Sequence, residues 1–418
     1  RSALSAAAMQ SWKGKACLVV GGSGNLGGDL IDLLIERGAT VCIFDNLPYD
    51  GAHGERVSNH VGDITTDFGR MKLEAACSMM DVVFHMASVV DLTPIPDPRM
   101  SEINVKGTLN VIDACVAAEV PTLVYTSIAE VICGKRADGS RVIGTRKAPL
   151  DESVGYPAKH TLEYFATKAA AERYVLCGLP SNCLICIACL LQGLSLVSWR
   201  SRLRVGCECA AAFLRRSANG PRLRTVVLRP GYFCGAESFA LRLEITKAIM
   251  YQHNNYIATK APGIRSCVNV KNCALAHLLA AERAARPEVN GQAFFLRDFE
   301  ASVHAQTVAA IEGSGVKIIL LPFSLACAIT WVLHYWEVFL YYLYWCVGMT
   351  RHISEDTLAY ATMDMVRYDM CVSSEKAKAV LGYGAPGEAK LLSQEETQVA
   401  EREWARGFAA LLYAQLGK

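Results

Sequence analysis

A chain of 418 residues, 52% of them hydrophobic, is long enough for one large or two modest domains with a real core. Its 42 Lys and Arg against 40 Asp and Glu leave a formal net charge of +2, which gives a nucleic-acid partner no electrostatic support. A mean hydropathy of +0.22 is high for a wholly soluble protein and calls for a membrane-facing segment or a deeply buried sheet. The 17 cysteines, odd in number and set among apolar neighbours such as Cys17, Cys42 and Cys115, suit a reduced, cytosol-facing protein better than a disulfide framework.

In chain order, residues 1–12 are a small-residue extension without the long apolar core of a secretory signal. Ala16–Val20 is a strand-length apolar run, followed by glycines and a helical pattern through Arg37. Further runs follow at Thr40–Phe44, Asp81–His85, Thr122–Ser127 and Thr225–Arg229, with a helical stretch at Val105–Ala118. Strands alternating with helices predict a Rossmann-like, doubly wound parallel sheet covered on both faces, an α/β fold. The sheet begins in a dinucleotide-binding domain, 13–176, and is completed in 225–315, where a smaller substrate domain starts. Between them, 177–224 breaks the rhythm and reads as an atypical insertion. Segment 316–350 is almost continuously apolar and rich in aromatics such as Trp331, Trp336, Tyr342 and Trp345. Such residues suit the headgroup zone of a bilayer. His334 and Glu337 in its middle favour a re-entrant or interfacial helical hairpin over a clean span. The alternative is a buried helical pair. The C-terminal part, 351–418, is polar and helical, with Ser393 and Glu396 at the spacing of a capping box.

The first strand runs into Gly21-Gly22-Ser23-Gly24-Asn25-Leu26-Gly27 and a helix. Glycines at 21, 24 and 27 permit a tight turn, close approach of backbone N–H groups to a pyrophosphate, and close packing of helix on strand. A lone glycine triplet is weak, but here strand, helix and a later acid are all in place. That acid, Asp45 at the end of the second strand, can accept hydrogen bonds from the adenosine ribose and would repel a 2′-phosphate, so NAD is expected rather than NADP. A turn-starting Asp is the simpler alternative. Asp63, followed by Ile64, is a candidate contact to the adenine amino group.

Tyr164 and Lys168 stand four apart in a helical stretch and so share a face. Oxidation of a secondary alcohol by hydride transfer needs a base for the hydroxyl proton. A free tyrosine, pKa about 10, is a poor one unless a nearby cation favours its phenolate. Alone this spacing is common on ordinary helices; downstream of a dinucleotide loop it reads as a catalytic pair.

These motifs resemble those of the extended short-chain dehydrogenases. The nearer resemblance is to the 3β-hydroxysteroid dehydrogenase group, including sterol-4α-carboxylate 3-dehydrogenases (decarboxylating). The similarity is carried by Val20 to Gly27, Val83-Phe84-His85-Met86-Ala87-Ser88, Asn104-Val105-Lys106-Gly107-Thr108, Tyr125-Thr126-Ser127, and Tyr164 with Lys168. Leu228-Arg229-Pro230-Gly231 and Val268-Asn269-Val270 carry it further. The resemblance implies oxidation of a sterol or steroid 3β-hydroxyl with NAD. Asn104 would organise active-site hydrogen bonds, Ala87 would border the cofactor, and Pro230 to Phe233 would line the nicotinamide pocket. It also implies an endoplasmic reticulum membrane location with the catalytic domain facing the cytosol, or alternatively a lipid droplet; a homodimer is an open expectation. The family's substrate-orienting Ser or Thr falls at Ile128, which cannot donate. Ser127 or Thr126 is the candidate replacement, after a small shift in register. Val20 stands where the family usually has Thr.

Three rival readings remain open: the same fold acting on another small alcohol such as a nucleotide sugar or a dihydroflavonol, a Δ5-steroid enzyme that also isomerises, and an NAD-binding pseudoenzyme or structural subunit. No metal is expected. Cys183, Cys186 and Cys189 lack the fourth ligand of an iron–sulfur motif, and His253, His277 and His304 have no metal-type spacing.

Overall fold

The computed structural model describes residues 12–176, 223–236, 238–346, 349, 360–385 and 390–416. The strands are β1 (Ala16–Val20), β2 (Thr40–Asp45), β3 (Val57–Val61), β4 (Val82–His85), β5 (Thr122–Thr126), β6 (Gly134–Lys135), β7 (Lys159–His160), β8 (Arg224–Pro230), β9 (Tyr232–Cys234), β10 (Asn255–Thr259), β11 (Arg265–Asn269), β12 (Gln292–Leu296), β13 (Phe299–Ala301) and β14 (Lys317–Leu321). The helices used below are α1 (Asn25–Glu36), α2 (Asp67–Cys77), α3 (Thr108–Ala117), α4 (Glu163–Leu176), α5 (Phe239–Met250), α6 (Val270–Arg283), α7 (Val303–Ile311), α8 (Phe323–Cys346), α9 (Ala361–Arg367) and α10 (Gln394–Gln415).

Seven strands form one sheet in the order β12-β8-β5-β4-β1-β2-β3, every pair parallel. The short apolar runs become fully buried strands because helices cover both faces. Strand alternation divides the core in two. Cys17 and Val19 of β1 join α1 and α6 on one face, where α1 contributes Leu26, Leu30, Ile31 and Leu34 at helical spacing. Leu18 and Val20 join α2, α3 and α4 on the other, against Leu73, Val111, Ile112 and Val175. The doubly wound expectation therefore holds.

The C-terminal part adds a second, smaller core in which α5, α7 and α10 bring together Leu241, Ile245, Ile311, Ala405 and Ala409. Helix α10 opens with the expected capping box, Ser393 and Glu396 each bonding the other's backbone N–H. In a three-stranded sheet, β13-β11-β9, β9 follows β8 directly in the chain and pairs parallel with β11, which pairs antiparallel with β13.

Segment 316–348 differs from the expected hairpin. It begins as β14, paired parallel to β10, and continues as the single 24-residue helix α8. At 1.5 Å per residue that helix is about 36 Å long. It is long and apolar enough to cross a membrane by length and composition, and Cys327 is its one buried residue. His334 and Glu337 do not break it because they share the half-buried stripe, with Cys327, that faces the protein. His334 accepts the Tyr360 N–H through Nδ1 at 3.2 Å. Most of the 177–224 insertion, with Cys183, Cys186 and Cys189, lies outside the described residues, which resume at Leu223.

Candidate active site

The glycine turn ends β1 and opens α1. Gly21 has φ +88, its N–H donates to the Phe44 carbonyl at 2.9 Å, and a Cβ there would stand 2.5 Å from the Ala87 nitrogen. The turn therefore passes directly against the end of β4, and a side chain would push them apart. A Cβ on Gly27 would meet the Gly22 carbonyl oxygen at 2.5 Å, so α1 sits tight on the turn. Gly22, Ser23, Asn25 and Leu26 complete the turn and first helical residues, and Gly24, the N-cap, has no side chain to occupy the helix N-terminus. Asp45 is tied to this loop: Oδ2 accepts the Ser23 N–H and Oδ1 the Leu47 N–H, each at 3.0 Å. A glycine-lined cradle at a helix N-terminus whose N-cap makes no side-chain bond, with a carboxylate at the neighbouring strand end, fits a dinucleotide.

The residues expected nearer the adenine are organised by their own loop. Asp63 Oδ1 takes the Thr65 N–H and hydroxyl at 2.8 and 2.7 Å, and Oδ2 lies 3.6 Å from Arg99. Ile64 is buried, and its carbonyl accepts from Asn110 Nδ2 at 2.6 Å. Pro230 ends β8, paired with Leu296, and Phe233 on β9 packs against the main core.

Helix α4 brings Tyr164 and Lys168 into the interior, 8% and 2% exposed. Lys168 Nζ donates to the Thr126 carbonyl at 2.7 Å and lies 4.6 Å from the centre of the Tyr125 ring. Burial pulls its pKa down to about 7, with the Glu172 carboxylate one turn further along α4 acting against the fall. Burial pushes the Tyr164 phenol well above its ordinary value; the Glu130 carboxylate adds to the rise, and a hydrogen bond with the Ser88 hydroxyl opposes it. Apolar side chains of Met100, Leu162 and Phe165, with Ile128, Cys133 and Met365, enclose the phenol.

Asn104 lies in a π-helical turn, Glu102–Gly107, just before α3. It accepts the Val89 N–H at 2.8 Å and donates to the Val89 carbonyl at 2.9 Å and to Thr167 Oγ1 at 3.1 Å. Thr167 in turn donates to the Tyr164 carbonyl at 2.8 Å. The segment after β4 is thereby tied to the helix that carries Tyr164.

The expected donors at the end of β5 are engaged elsewhere. Ser127 is 1% exposed and donates to Glu172 Oε2 at 2.5 Å. Thr126 Oγ1 lies 2.7 Å from His277 Nε2. His277 Nδ1 is 2.8 Å from the Cys273 carbonyl, so Nδ1 carries the ring proton and Nε2 must accept from Thr126. Ile128 is part of the apolar wall.

Two features carried no role in the sequence reading. Glu172, with no exposed side-chain surface, accepts from Ser127, from Tyr156 at 2.6 Å and from Arg229 Nε at 3.0 Å. The four-residue steps Tyr164, Lys168, Glu172 hinted at it. Ser88 stood inside a quoted motif, but its contact with Tyr164 crosses the fold and leaves no local signal.

The model of the 3-beta hydroxysteroid dehydrogenase/isomerase family matches residues 18–183 and 210–312. A 3-beta-hydroxysteroid dehydrogenase of Mycolicibacterium neoaurum is 33% identical over 165 residues, 38% of this chain and 42% of that protein, so the match spans less than half of that relative. A sterol-4-alpha-carboxylate 3-dehydrogenase, decarboxylating, of Candida albicans is 26% identical over 295 residues, 68% of this chain and 70% of that one. An epimerase from Methanothermobacter thermautotrophicus shares the fold, with a TM-score of 0.64 at 17% identity over 98% of this chain and 97% of that one.

Proposed function

Because this chain belongs to the 3-beta hydroxysteroid dehydrogenase/isomerase family, we propose that it oxidises the 3β-hydroxyl of a sterol or steroid with NAD as acceptor. The observation that carries this reading is the placement of Tyr164 and Lys168, buried one turn apart on α4, beside the strand end that Gly21 touches. Gly21 to Gly27 would hold the pyrophosphate, Asp45 the adenosine ribose, and Asp63 and Ile64 the adenine end. Ala87, Pro230 and Phe233 would border the nicotinamide. Bound NAD supplies the acceptor for the hydride leaving the carbinol carbon, and its positive ring favours a phenolate nearby.

Tyr164 takes the substrate hydroxyl proton as the carbon–oxygen bond becomes a carbonyl; the products are the ketone, NADH and one proton. Lys168 holds positive charge beside the strand end and steadies the phenolate. Asn104 keeps the segment after β4 fixed to α4. Where the substrate bears a 4α-carboxylate, the product is a β-keto acid that can lose CO₂.

The apolar wall around the phenol favours a lipid-like substrate over a sugar. So does α8, whose aromatic side chains Trp331, Trp336, Tyr342 and Trp345 stand at least half exposed. We read α8 as the contact with the endoplasmic reticulum membrane, from which a sterol partitions. It is joined to the wall of the site: Arg367 on α9 reaches Cys327 Sγ at 3.3 Å, and Ala361 and Met365 of α9 pack in the Tyr164 cluster.

A dinucleotide-binding subunit without activity is the second reading, favoured by Ile128 and by the engagement of Ser127 and Thr126 elsewhere. NADH production in detergent, with 4α-carboxysterol and Δ5-3β-hydroxysteroid substrates, separates the two. Turnover that Tyr164→Phe abolishes supports the dehydrogenase; NAD binding with no turnover of any sterol supports the subunit.

A further inference from the structure

Consecutive residues at the end of β5 are gripped by consecutive turns of α4. Lys168 Nζ donates to the Thr126 carbonyl at 2.7 Å, and the next residue, Ser127, donates its hydroxyl to Glu172 Oε2 at 2.5 Å. Glu172 stands four residues beyond Lys168, so the two side chains share a helix face. The strand end is fixed on its other side as well. The Ser127 N–H donates to the Leu228 carbonyl at 2.8 Å, and Arg229, the residue after Leu228, returns to Glu172 Oε1 through Nε at 3.0 Å. Carboxylate, β5 and β8 thereby close a ring. Arg229 Nη2 at 2.5 Å and the Tyr156 hydroxyl at 2.6 Å complete the bonds to a carboxylate with no exposed surface.

Charge makes this more than a brace. Glu172, Arg229 and Lys168 are buried together, two cations against one carboxylate, and a Tyr164 phenolate would balance the excess. The neighbouring titratable groups are neutral, paired or exposed. Burial holds the Tyr125 and Tyr156 phenols up and the His85 imidazole down. Glu130, after β5, is bonded to Arg265 at 2.5 Å, His160 on β7 faces the Val131 carbonyl at 3.0 Å, and Arg173 lies over the Tyr156 ring. Glu102 and Lys106, on the π-helical turn beside α4, are exposed. Burial favours a neutral amine at Lys168, and the Glu172 carboxylate opposes that.

We propose that Glu172 is a positioning residue for the reaction: by binding the ends of β5 and β8 to α4, it holds Lys168 in place as the ammonium partner of Tyr164. This rests on Tyr164 and Lys168 being the base and its cation. No proton leaves Glu172, and it acts on the substrate only through Lys168.

The test reads Lys168 directly, by carbon-13 NMR titration of protein labelled at lysine Cε, with the resonance assigned through Lys168→Met, beside kcat and KM in the NADH assay. The variants are Glu172→Gln, Tyr164→Phe and Tyr156→Phe, the last removing a bond to the same carboxylate while keeping its charge. Wild-type Lys168 should titrate near pH 7, well below the exposed lysines. Glu172→Gln should lower that midpoint by about one pH unit. It should cut kcat at pH 7 about fivefold, the loss of ammonium that such a shift produces, with KM within about twofold. Tyr156→Phe should lower the urea midpoint and leave the Lys168 titration in place, which separates positioning from simple stability. An unmoved Lys168 midpoint in Glu172→Gln, or an equal shift in Tyr156→Phe, overturns the proposal and leaves Tyr164 and Lys168 as base and partner. No turnover in wild type, or Tyr164→Phe as active as wild type, removes the reading on which it rests, whatever the titration shows. Should Glu172→Gln fail to fold because Arg229 is left an unpaired buried cation, Glu172→Gln with Arg229→Met takes its place. That pair should keep a lowered Lys168 midpoint, and a wild-type midpoint there overturns the proposal.

Discussion

Asn104 and Val89 form a closed two-bond pair, the backbone N–H of one donating to the side-chain oxygen of the other at 2.8 Å and the carboxamide returning a bond at 2.9 Å. A side chain that mimics a strand partner in this way fixes a loop without spending any sheet edge. Asn104→Ala leaves a part-buried N–H and C=O unpaired, each at a cost below the about 1–3 kcal/mol of a fully buried group. The expected outcome is a lower thermal midpoint together with a kcat loss larger than any change in NAD affinity. Calorimetric NAD titration beside the kinetic assay checks it, and an unchanged kcat would separate Asn104 from the site.

Gly21 and Gly28 lie seven residues apart, and alanine should act oppositely on them. At Gly21 a Cβ meets the Ala87 backbone and the φ of +88 is unfavourable, strain of about 1–3 kcal/mol. At Gly28, inside α1, a Cβ meets open space, and alanine should stabilise the helix by up to about 1 kcal/mol. Gly21→Ala should weaken NAD binding at least tenfold and lower the urea midpoint. Gly28→Ala should raise that midpoint. Equal NAD affinity in Gly21→Ala and wild type would detach the turn from the cofactor.

Acid should destabilise the fold through two buried imidazoles. Burial lowers His85 from 6.5 to about 3, and burial lowers His277 from 6.5 to about 4 against a bond to the Cys273 carbonyl. Between pH 6.5 and those values the unfolded chain binds protons that the folded one refuses, so stability falls as pH drops. The slope is at most about 1.4 kcal/mol per pH unit for each ring. Urea unfolding from pH 6.5 to 4.5 measures it. His85→Asn with His277→Gln should flatten the slope; an equally steep dependence in that pair would assign it to other groups.

Helix α8 predicts binding to lipid. Wild-type protein should float with phosphatidylcholine vesicles containing anionic lipid, and its tryptophan emission should shift to the blue. Replacing Trp331, Trp336, Tyr342 and Trp345 by Ser should abolish flotation while leaving the circular dichroism spectrum in place. Flotation retained by that variant would move the membrane contact away from α8.

What could be read in the sequence was what depends on near neighbours. The glycine turn, Asp45 at the end of β2, and the shared face of Tyr164 and Lys168 follow from spacing along one or two elements. Ser127 looked available because its commitment is made by Glu172 on α4, 45 residues further along the chain, which is itself held by Arg229 on β8, another 57 residues on. The hairpin expected at 316–348 rested on the cost of placing His334 and Glu337 in lipid. That cost is avoided because both share the protein-facing stripe of α8, where the Tyr360 backbone meets His334, a relation no window on the helix contains.

The parallel order of the large sheet also governs when the protein can close. Thr122 on β5 pairs with Arg224 on β8, and Val226 on β8 pairs with Gln292 on β12. Loops of this length must be brought together before any of those contacts returns free energy. During synthesis, β5 therefore waits with a bare edge until β8 emerges, and β8 waits for β12. A chain stalled between them exposes a row of unpaired amides and carbonyls, the form most open to chaperone capture or to pairing with another nascent copy.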